Sequence, residues 1–126
     1  MATVADIMPR QVVTTRTDRS IWDTARVLLD KGFGGMPVVD GDGRLIGMVS
    51  GFDVISKSGT TVGEIMSRGV VYVKPDDSLD EVIHLMGLHG IRRVPICEGD
   101  RLVGIISRSD LLAYFTDQFE HDSGRS

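Results

Sequence analysis

Short apolar runs and amphipathic stretches alternate along the chain, and the same alternation occurs twice. The β-branched runs VVTT and VVYV predict strands, because valine and threonine favour extended backbone. Each run is followed by a serine, Ser20 or Ser78, with an acidic residue three positions later, which is typical of a helix start. Gly32 and Gly90 then supply the predicted helix ends. Each half of the chain therefore predicts a strand followed by a helix.

The apolar positions of these two helices recur at a spacing of three or four residues, which predicts one core-facing side for each helix. The predicted core-facing residues are Ile21, Ala25, Leu28, Leu79, Ile83 and Met86. After each helix, MPVVD or VPICE predicts a strand, and RLIGMVS or RLVGIIS predicts the returning strand of a hairpin. A last helix follows through FDVISK or SDLLAYFTDQF. The predicted order is β-α-β-β-α in each half, and the fold class is α+β.

An internal duplication explains why the pattern occurs twice. TVADIM near the start is matched by TVGEIM from Thr61, and the match continues to Asp53 and Asp110 once Gly43 is left out. The predicted divisions are repeat 1 at residues 1–59, repeat 2 at residues 60–119 and a flexible tail at residues 120–126. One repeat of roughly 57 residues would bury only about 60% of its unfolded surface. We therefore expect the two repeats to pack together with pseudo-two-fold symmetry.

Composition excludes several function classes. The chain has 126 residues and a net charge of −4, and this mild acidity argues against a nucleic-acid binder. No apolar run approaches the roughly 18 residues that a membrane-spanning helix needs, so no membrane partner is expected. The start MATVADIMPR lacks a basic segment followed by an apolar core, and Cys97 is the single cysteine. A cytoplasmic location is the expectation.

A serine followed three residues later by an aspartate stands at each predicted strand-to-helix junction, as Ser50 with Asp53 and Ser107 with Asp110. One interpretation is a capping box, which stabilises a helix start by about 0.5–2 kcal/mol. The usual acidic partner is the longer Glu or Gln, which indicates that the shorter aspartate is free for another role. Backbone N–H groups at a helix start attract anions, and a carboxylate can accept hydrogen bonds from both hydroxyls of a ribose. Serine capping and ligand binding by the aspartate can coexist.

Taken together, the motifs TVxxIM, VV, MPVVD or VPICE, and RLhGhhSxxD (h is apolar) resemble the cystathionine-β-synthase (CBS) domain. The resemblance covers about residues 3–118 in two copies, which looks like a CBS pair, or Bateman module. It implies a regulatory module without catalysis that binds AMP, ADP or ATP in clefts between its repeats, with S-adenosylmethionine or NAD as alternatives. It also implies a homodimer, and a stand-alone protein that acts on an unknown regulated partner.

The resemblance also assigns residues to two clefts, each formed by both repeats. The first cleft would contain Thr3, Met8, Met36, Pro37, Ile105, Ser107, Ser109 and Asp110. The second would contain Met48, Ser50, Asp53, Thr61, Met66, Val94 and Pro95. The apolar members would enclose a purine, and nearby backbone amides would read its edge. For the methionines and Val94, plain core packing is the alternative.

Three arginines of repeat 2 correspond to glycines in repeat 1. The arginines are Arg92, Arg93 and Arg108, and the glycines are Gly34, Gly35 and Gly51. Because a guanidinium binds phosphate through paired hydrogen bonds, the arginines are predicted to hold the phosphates of the ligand. The alternative is a solvated edge without a binding role. We therefore expect the cleft with Asp110 to bind a phosphate-bearing ligand better than the cleft with Asp53.

A second function class stays open at this point. A degenerate CBS pair that dimerises, and serves as a protein-interaction scaffold without a ligand, would have the same fold. The aspartate retained in both repeats favours ligand binding over the scaffold. An enzyme ranks last, because the sequence carries no nucleophile with a base at a recognisable spacing and no metal-ligand spacing. No catalytic or metal-binding residue is assigned.

Overall fold

A computed structural model describes residues 2–123 of the chain, with side chains through residue 120. The helices in this range are α1 (Val4–Ile7), α2 (Ile21–Lys31), α3 (Gly51–Ser56), α4 (Val62–Ile65), α5 (Leu79–His89) and α6 (Arg108–Ser123). The strands are β1 (Gly35–Val39), β2 (Leu45–Ser50), β3 (Arg93–Glu98) and β4 (Arg101–Ser107). Each half of the chain therefore has the same order: a short helix, a long helix, two strands and a helix.

The chain forms two compact units, and each unit contains segments from both halves of the sequence. Unit 1 comprises the described residues up to Val12, then Val71–Glu98, then the described residues from Val103 on. Unit 2 comprises Val13–Val70 and Gly99–Leu102. α1 therefore belongs to the same unit as α5 and α6, while α4 belongs with α2 and α3. These units cut across the division at residues 1–59 and 60–119, which stays a prediction about the duplication.

Backbone hydrogen bonds fix the two short helices in their units. In unit 1, the N–H of Val4 donates to the carbonyl of Asp77 at 2.9 Å. In unit 2, the N–H of Val62 donates to the carbonyl of Arg19 at the same distance, 2.9 Å. The first segment of each repeat is thus held by the turn that precedes the long helix of the other repeat.

The segments TVADIM and TVGEIM form helices that the hydrophobic pattern did not predict. The N–H of Thr3 donates to the Oδ2 atom of Asp6 at 2.8 Å. The N–H of Thr61 donates to the Oε1 atom of Glu64 at 3.2 Å. A threonine with an acidic residue three positions later is a capping-box signal, and this signal identifies both helix starts.

Each unit has an apolar core of its own. The buried residues of the unit 1 core are Val4, Met8, Val73, Leu79, Val82, Met86, Val94, Ile96, Ile106 and Leu111. Those of the unit 2 core are Ile21, Leu28, Met36, Val38, Val49, Val54, Val62, Ile65 and Met66. Both short helices contribute a valine that is fully buried, at 0% exposure. Both short helices, α1 and α4, therefore pack as part of an apolar core.

The predicted ends of the two long helices are confirmed. The Oγ atom of Ser20 accepts from the N–H of Trp22 at 3.1 Å, and the Oγ atom of Ser78 accepts from the N–H of Glu81 at 3.2 Å. Gly32 and Gly90 have positive φ angles of 70° and 63°. Glycine adopts this left-handed conformation without the steric cost of a Cβ, which is why both helices end there.

The core-facing side of α5 differs from the prediction at one position. Leu79 and Met86 are buried as expected, but Ile83 is 43% exposed and Val82 is fully buried in its place. The spacing Leu79, Val82, Met86 is as helical as the spacing with Ile83, so the periodicity alone could not distinguish the two.

The predicted hairpins are confirmed as two two-stranded sheets. β1 pairs antiparallel with β2, with Met36 opposite Val49 and an irregularity between Val38 and Val39. β3 pairs with β4 in the second sheet. The α+β class and the two tandem repeats, each with a short strand pair, are therefore confirmed.

The prediction of full strands in VVTT and VVYV is wrong. Each run contributes a single parallel bridge, between Thr15 and Val38 in unit 2 and between Val73 and Ile96 in unit 1. β-Branched residues favour extended backbone, but a strand also needs a pairing partner over several residues. Here the pairing stops after one residue, so the first strand of the β-α-β-β-α pattern is reduced to one bridge.

The end of the chain is helical further than expected. α6 continues through Ser123, so the backbone of residues 120–123, which were assigned to a flexible tail, is helical. The rest of that predicted tail, residues 124–126, lies outside the described residues. Within residues 2–123, each helix is either too short or too polar to cross a membrane.

Candidate ligand-binding site

Ser107 and Asp110 lie at the junction between β4 and α6 in unit 1. The backbone N–H of Ser107 donates to the Oδ2 atom of Asp110 at 2.8 Å. In return, the N–H of Asp110 donates to the Oγ atom of Ser107 at 3.1 Å. This reciprocal pair is a capping box, and it satisfies a backbone donor at the helix start that would otherwise lack a partner.

Ser50 and Asp53 form the equivalent junction between β2 and α3 in unit 2. The N–H of Ser50 donates to the Oδ2 atom of Asp53 at 2.9 Å, and the N–H of Asp53 donates to the Oγ atom of Ser50 at 3.0 Å. The two junctions thus agree within 0.1 Å in both bonds. The duplication has preserved the local geometry as well as the sequence.

The expectation that an aspartate is too short to reach back to the cap is wrong. In both units the Oδ2 atom of the aspartate accepts from the serine N–H at 2.9 Å or less. The serine caps the helix as predicted, but the aspartate is not wholly free, since one of its two oxygens is part of the cap. Any ligand that binds Asp53 or Asp110 must use the other oxygen or share this one.

Asp53 makes a second contact, an ion pair with Lys57, through its other carboxylate oxygen. The Nζ atom of Lys57 lies 2.9 Å from the Oδ1 atom of Asp53, and the aspartate as a residue is only 8% exposed. Burial raises the pKa of the Asp53 carboxyl, but hydrogen bonds from Lys57 and Ser50 lower it by more. The net pKa lies below the ordinary value of an aspartate, so this carboxylate is charged at neutral pH.

Asp110 has a different cationic neighbour. The guanidinium of Arg93, at the start of β3, is half-buried in the same unit. Burial lowers the pKa of Arg93 from its ordinary value, and the negative charge of Asp110 opposes this shift. Because an arginine keeps its charge in proteins, a fixed positive charge attracts the carboxylate of Asp110. Arg93 is predicted to bind phosphate and Asp110 is predicted to bind ribose, so the two predicted binding residues interact with each other.

Arg92 and Arg108 are neighbours through their main chains. The N–H of Arg108 donates to the carbonyl of Arg92 at 2.8 Å, and in unit 2 the N–H of Gly51 donates to the carbonyl of Gly34 at 3.0 Å. The alignment that pairs these arginines with these glycines is thus correct in three dimensions. Both arginine residues are exposed.

Each unit also has a groove between its two main helices. The groove of unit 1, about 590 Å³, is lined by Ile83, Met86, Gly87, Gly90, Ile91, Arg92, Arg108, Leu111, Leu112 and Phe115. The groove of unit 2, about 510 Å³, is lined by Trp22, Ala25, Arg26, Leu28, Leu29, Gly32, Phe33, Gly51, Val54 and Ile55. Neither lining includes Asp53 or Asp110. Arg92 and Arg108 therefore border a helix groove, whereas Arg93 interacts with the aspartate.

The predicted site residues are divided between the units. Unit 1 contains Thr3, Met8, Arg92, Arg93, Val94, Pro95, Ile105, Ser107, Arg108, Ser109 and Asp110. Unit 2 contains Met36, Pro37, Met48, Ser50, Asp53, Thr61 and Met66. Asp110 thus shares a unit with Thr3 and Met8 of its predicted cleft, and Asp53 shares a unit with Thr61 and Met66 of its own. The exchange of the first segments between units brings these residues together. The other predicted pairs are exchanged: Met36 and Pro37 lie in the unit of Asp53, and Val94 and Pro95 lie in the unit of Asp110.

The apolar candidates of the site are mostly core residues. Met8 and Met66 are 7% and 8% exposed, while Met36 and Val94 are 1% and 0% exposed. All four belong to the apolar cores described above. Their burial favours the packing alternative, and a contact with a purine stays a prediction for each of them.

Lys57 was not among the residues singled out from the sequence. A lysine four residues after an acid on a predicted helix is a standard ion-pair position, and this signal identifies it. The duplication aligns Lys57 with Tyr114, so the other repeat has no lysine at this place. The two aspartates therefore differ in their neighbours although their caps are alike.

Comparison with known proteins identifies the family. The CBS domain family model matches residues 4–59 and 62–117. The CBS domain-containing protein YhcV of Bacillus subtilis is 35% identical over 118 residues, which cover 88% of this chain and 84% of that protein. Hypoxic response protein 1 of Mycobacterium tuberculosis is 28% identical over 125 residues, which cover 93% and 87%. This chain belongs to the CBS domain family and contains two CBS domains.

A similar solved structure carries ligands. It is the crystal structure of a CBS domain pair in complex with 5′-methylthioadenosine and S-adenosyl-L-methionine, with 28% identity and a TM-score of 0.82. The similarity covers 93% of this chain and 98% of that chain.

Other curated relatives are much longer. The chain spans 35% of an uncharacterized 33.4 kDa protein of Thermofilum pendens and 23% of an L-aspartate semialdehyde sulfurtransferase of Methanocaldococcus jannaschii.

Proposed function

We propose that this chain is a regulatory module that binds an adenosine-containing ligand of the AMP, ADP or ATP class and does not catalyse a reaction. The observation that carries the proposal is the junction of Ser107 and Asp110. There, a carboxylate caps the start of a long helix and interacts electrostatically with the guanidinium of Arg93. The solved CBS pair with 5′-methylthioadenosine and S-adenosyl-L-methionine supports the adenosine part of this ligand.

The chemistry of the junction suits the two polar parts of such a ligand. The carboxylate of Asp110 can accept hydrogen bonds from the vicinal hydroxyls of a ribose. Arg93 has several N–H donors in a planar fork, so it can pair with Asp110 and still donate to a phosphate. A ligand that contains both a ribose and a phosphate would therefore satisfy the acid and the base together.

The two sites are proposed to differ in strength. Arg92, Arg93 and Arg108 all lie in unit 1 with Asp110, whereas unit 2 has glycines at these positions. A phosphate-bearing ligand is therefore proposed to bind at Asp110 more tightly than at Asp53. Binding would stabilise the unit that holds the ligand and shift the population of its conformations, which is how a regulated partner would detect it.

A thermal-shift panel followed by titration calorimetry tests this function. The panel contains AMP, ADP, ATP, S-adenosylmethionine and NAD, with GMP as the control for the base. A ligand at 100 times its dissociation constant is expected to add about 2.7 kcal/mol to the free energy of unfolding. Asp110→Asn, which keeps an oxygen for the cap, is expected to weaken binding more than Asp53→Asn. If none of the adenosine compounds shifts the transition, the sensor function is wrong.

Exposed apolar side chains support a second candidate, a homodimerising scaffold. Trp22 and Leu29 on α2 are 66% and 74% exposed, and Leu112 and Phe119 on α6 are 67% and 72% exposed. Exposed apolar side chains that cluster on one surface mark protein contacts, and Trp22 and Leu29 line the same groove of unit 2. We propose that the chain forms a homodimer through such helix surfaces. A dimer is compatible with ligand binding, so the scaffold replaces the sensor only if the ligand panel is negative.

A further inference from the structure

Lys57 connects two helices of unit 2 through its ammonium group. Its Nζ atom donates to the Oδ1 atom of Asp53 at 2.9 Å and to the backbone carbonyl of Ile65 at 3.1 Å. Ile65 is the last residue of α4, where a helix leaves carbonyls without an internal partner. The lysine therefore has two fixed acceptors, one on each helix.

The contact with Lys57 gives each oxygen of the Asp53 carboxylate a donor within unit 2. The Oδ2 atom of Asp53 already accepts from the N–H of Ser50 at 2.9 Å. With Lys57 on Oδ1, both oxygens of the carboxylate have a donor. The side chain of Asp53 is 11% exposed and that of Lys57 is 45% exposed, so the lysine lies on the solvent side of the pair. A ribose hydroxyl that approached Asp53 from solvent would meet the ammonium group first.

Unit 1 has a different side chain at this position. Tyr114 packs against the apolar core of unit 1, and its ring lies edge-on to that of Phe115 with 5.3 Å between centroids. A tyrosine turned to the core provides no ammonium for Asp110. The cation that interacts electrostatically with Asp110 is Arg93, which comes from β3. The difference between Lys57 and Tyr114 thus gives the carboxylates of Asp53 and Asp110 different neighbours.

We propose that Lys57 is an internal competitor that occupies the ribose acceptor of unit 2, so that Asp110 alone binds ligand in the unmodified chain. The proposal rests on the proposed function, because it concerns the same adenosine ligand. It assigns to Lys57 the role of setting the number of ligands per chain. Removal of the ammonium group leaves the Oδ1 atom of Asp53 open, and a second site becomes available.

The test uses calorimetric titration of the full chain with AMP, first in the Asp110→Asn background that removes the unit 1 site. In this background Lys57→Met is expected to restore binding of one AMP per chain, at least about tenfold tighter than Asp110→Asn alone, or about 1.4 kcal/mol. Lys57→Gln is the second variant, and Lys31→Met is the control for loss of one positive charge in the same unit. Thermal unfolding of each variant shows that the fold is kept.

The reciprocal variant examines unit 1. Tyr114→Lys in the otherwise unmodified chain is expected to weaken the AMP site by about tenfold, or about 1.4 kcal/mol. If the unmodified chain binds AMP but Lys57→Met and Lys57→Gln add no site to Asp110→Asn, the role of Lys57 is wrong while the proposed function stands. Weaker binding on loss of Lys57 would also overturn the inference, since the lysine would then be a ligand contact. If no variant binds any adenosine compound, the proposed function fails, and the role of Lys57 fails with it.

Discussion

The backbone N–H of Arg108 donates to the carbonyl of Arg92 at 2.8 Å, and both residues line the helix groove of unit 1. The bond joins the start of α6 to the residue before β3. It involves main-chain atoms alone, so it survives any change of the side chains. Unit 2 demonstrates this, because Gly51 and Gly34 make the same bond at 3.0 Å.

Replacement of both arginines by the glycines of the other repeat is therefore expected to keep the fold. The double variant Arg92→Gly/Arg108→Gly is expected to weaken ATP binding by about tenfold, or about 1.4 kcal/mol, and to leave adenosine binding unchanged. Calorimetry with both ligands measures the difference, and Arg68→Gly, an exposed arginine of unit 2, is the control. Equal losses for ATP and adenosine would show that the arginines do not recognise phosphate.

The cap at the start of α6 is expected to stabilise the fold measurably. Ser107→Ala removes the Oγ acceptor of the Asp110 N–H and is expected to lower the free energy of unfolding by about 1 kcal/mol. Ser109→Ala, at an exposed position in the first turn, is the matched control and is expected to have little effect. Urea unfolding measures both. A Ser107→Ala protein as stable as Ser109→Ala would contradict the cap.

Acidic pH is expected to reduce the difference in unfolding free energy between the unmodified protein and Asp53→Asn. The pKa of Asp53 is lowered in the folded protein despite the opposing effect of burial. A lowered pKa means that the charged carboxylate adds stability above the unfolded pKa, about 3.9, and that this stability is lost as pH falls through the folded value. The difference in unfolding free energy between the unmodified protein and Asp53→Asn should therefore shrink below about pH 4.

Urea unfolding of both proteins from neutral pH down to acid pH measures this difference. Other carboxylates titrate in both proteins alike, so they cancel. A difference that stays constant or grows on acidification would contradict the charged, hydrogen-bonded state of Asp53.

A side chain at Gly47 or at Gly104 is expected to destabilise the fold. A Cβ at Gly47 would lie 2.8 Å from the Sδ atom of Met66 and 2.8 Å from a backbone carbonyl, and one at Gly104 would lie 3.0 Å from the Sδ atom of Met8. Gly47→Ala is expected to cost about 1–3 kcal/mol, and Gly104→Ala is expected to cost less. Gly87→Ala, where a Cβ meets nothing within 4 Å, is the control and should stabilise α5 by about 1 kcal/mol. Thermal unfolding ranks the three, and a reversed order would contradict the packing.

The proposed homodimer is tested by a charge on the exposed face of α6. Leu112 is 67% exposed, so Leu112→Glu leaves the core of unit 1 intact. The variant is expected to sediment as a monomer at concentrations at which the unmodified protein is a dimer. Asp117→Ala, also exposed on α6, is the control for a change of charge on this helix. If the unmodified protein sediments as a monomer, the homodimer is wrong.

Features that depend on neighbouring residues were predicted well. Helix starts at Ser20 and Ser78 and ends at Gly32 and Gly90 follow from local chemistry, since a hydroxyl reaches nearby N–H groups and glycine alone adopts a positive φ freely. The duplication was equally visible, because it is a property of the sequence itself.

Features that depend on distant partners were predicted poorly. VVTT has the composition of a strand, but Thr15 finds a partner at one residue only. The spacing of Asp53 and Lys57 indicates an ion pair, but the second bond of Lys57, to the carbonyl of Ile65, depends on how α4 packs. TVADIM and TVGEIM are nearly identical, so the pattern could not indicate which of the two cores each segment joins.

The exchange of the short helices α1 and α4 between the repeats has a consequence for a cleaved chain. Since Val4 is buried with residues of repeat 2 and Val62 with residues of repeat 1, neither repeat alone contains all the pieces of a finished unit. A polypeptide of one repeat would therefore lack the short helix that completes its core in this chain. Cleaving the linker near residue 59 should accordingly yield two fragments that copurify, each incomplete without the other.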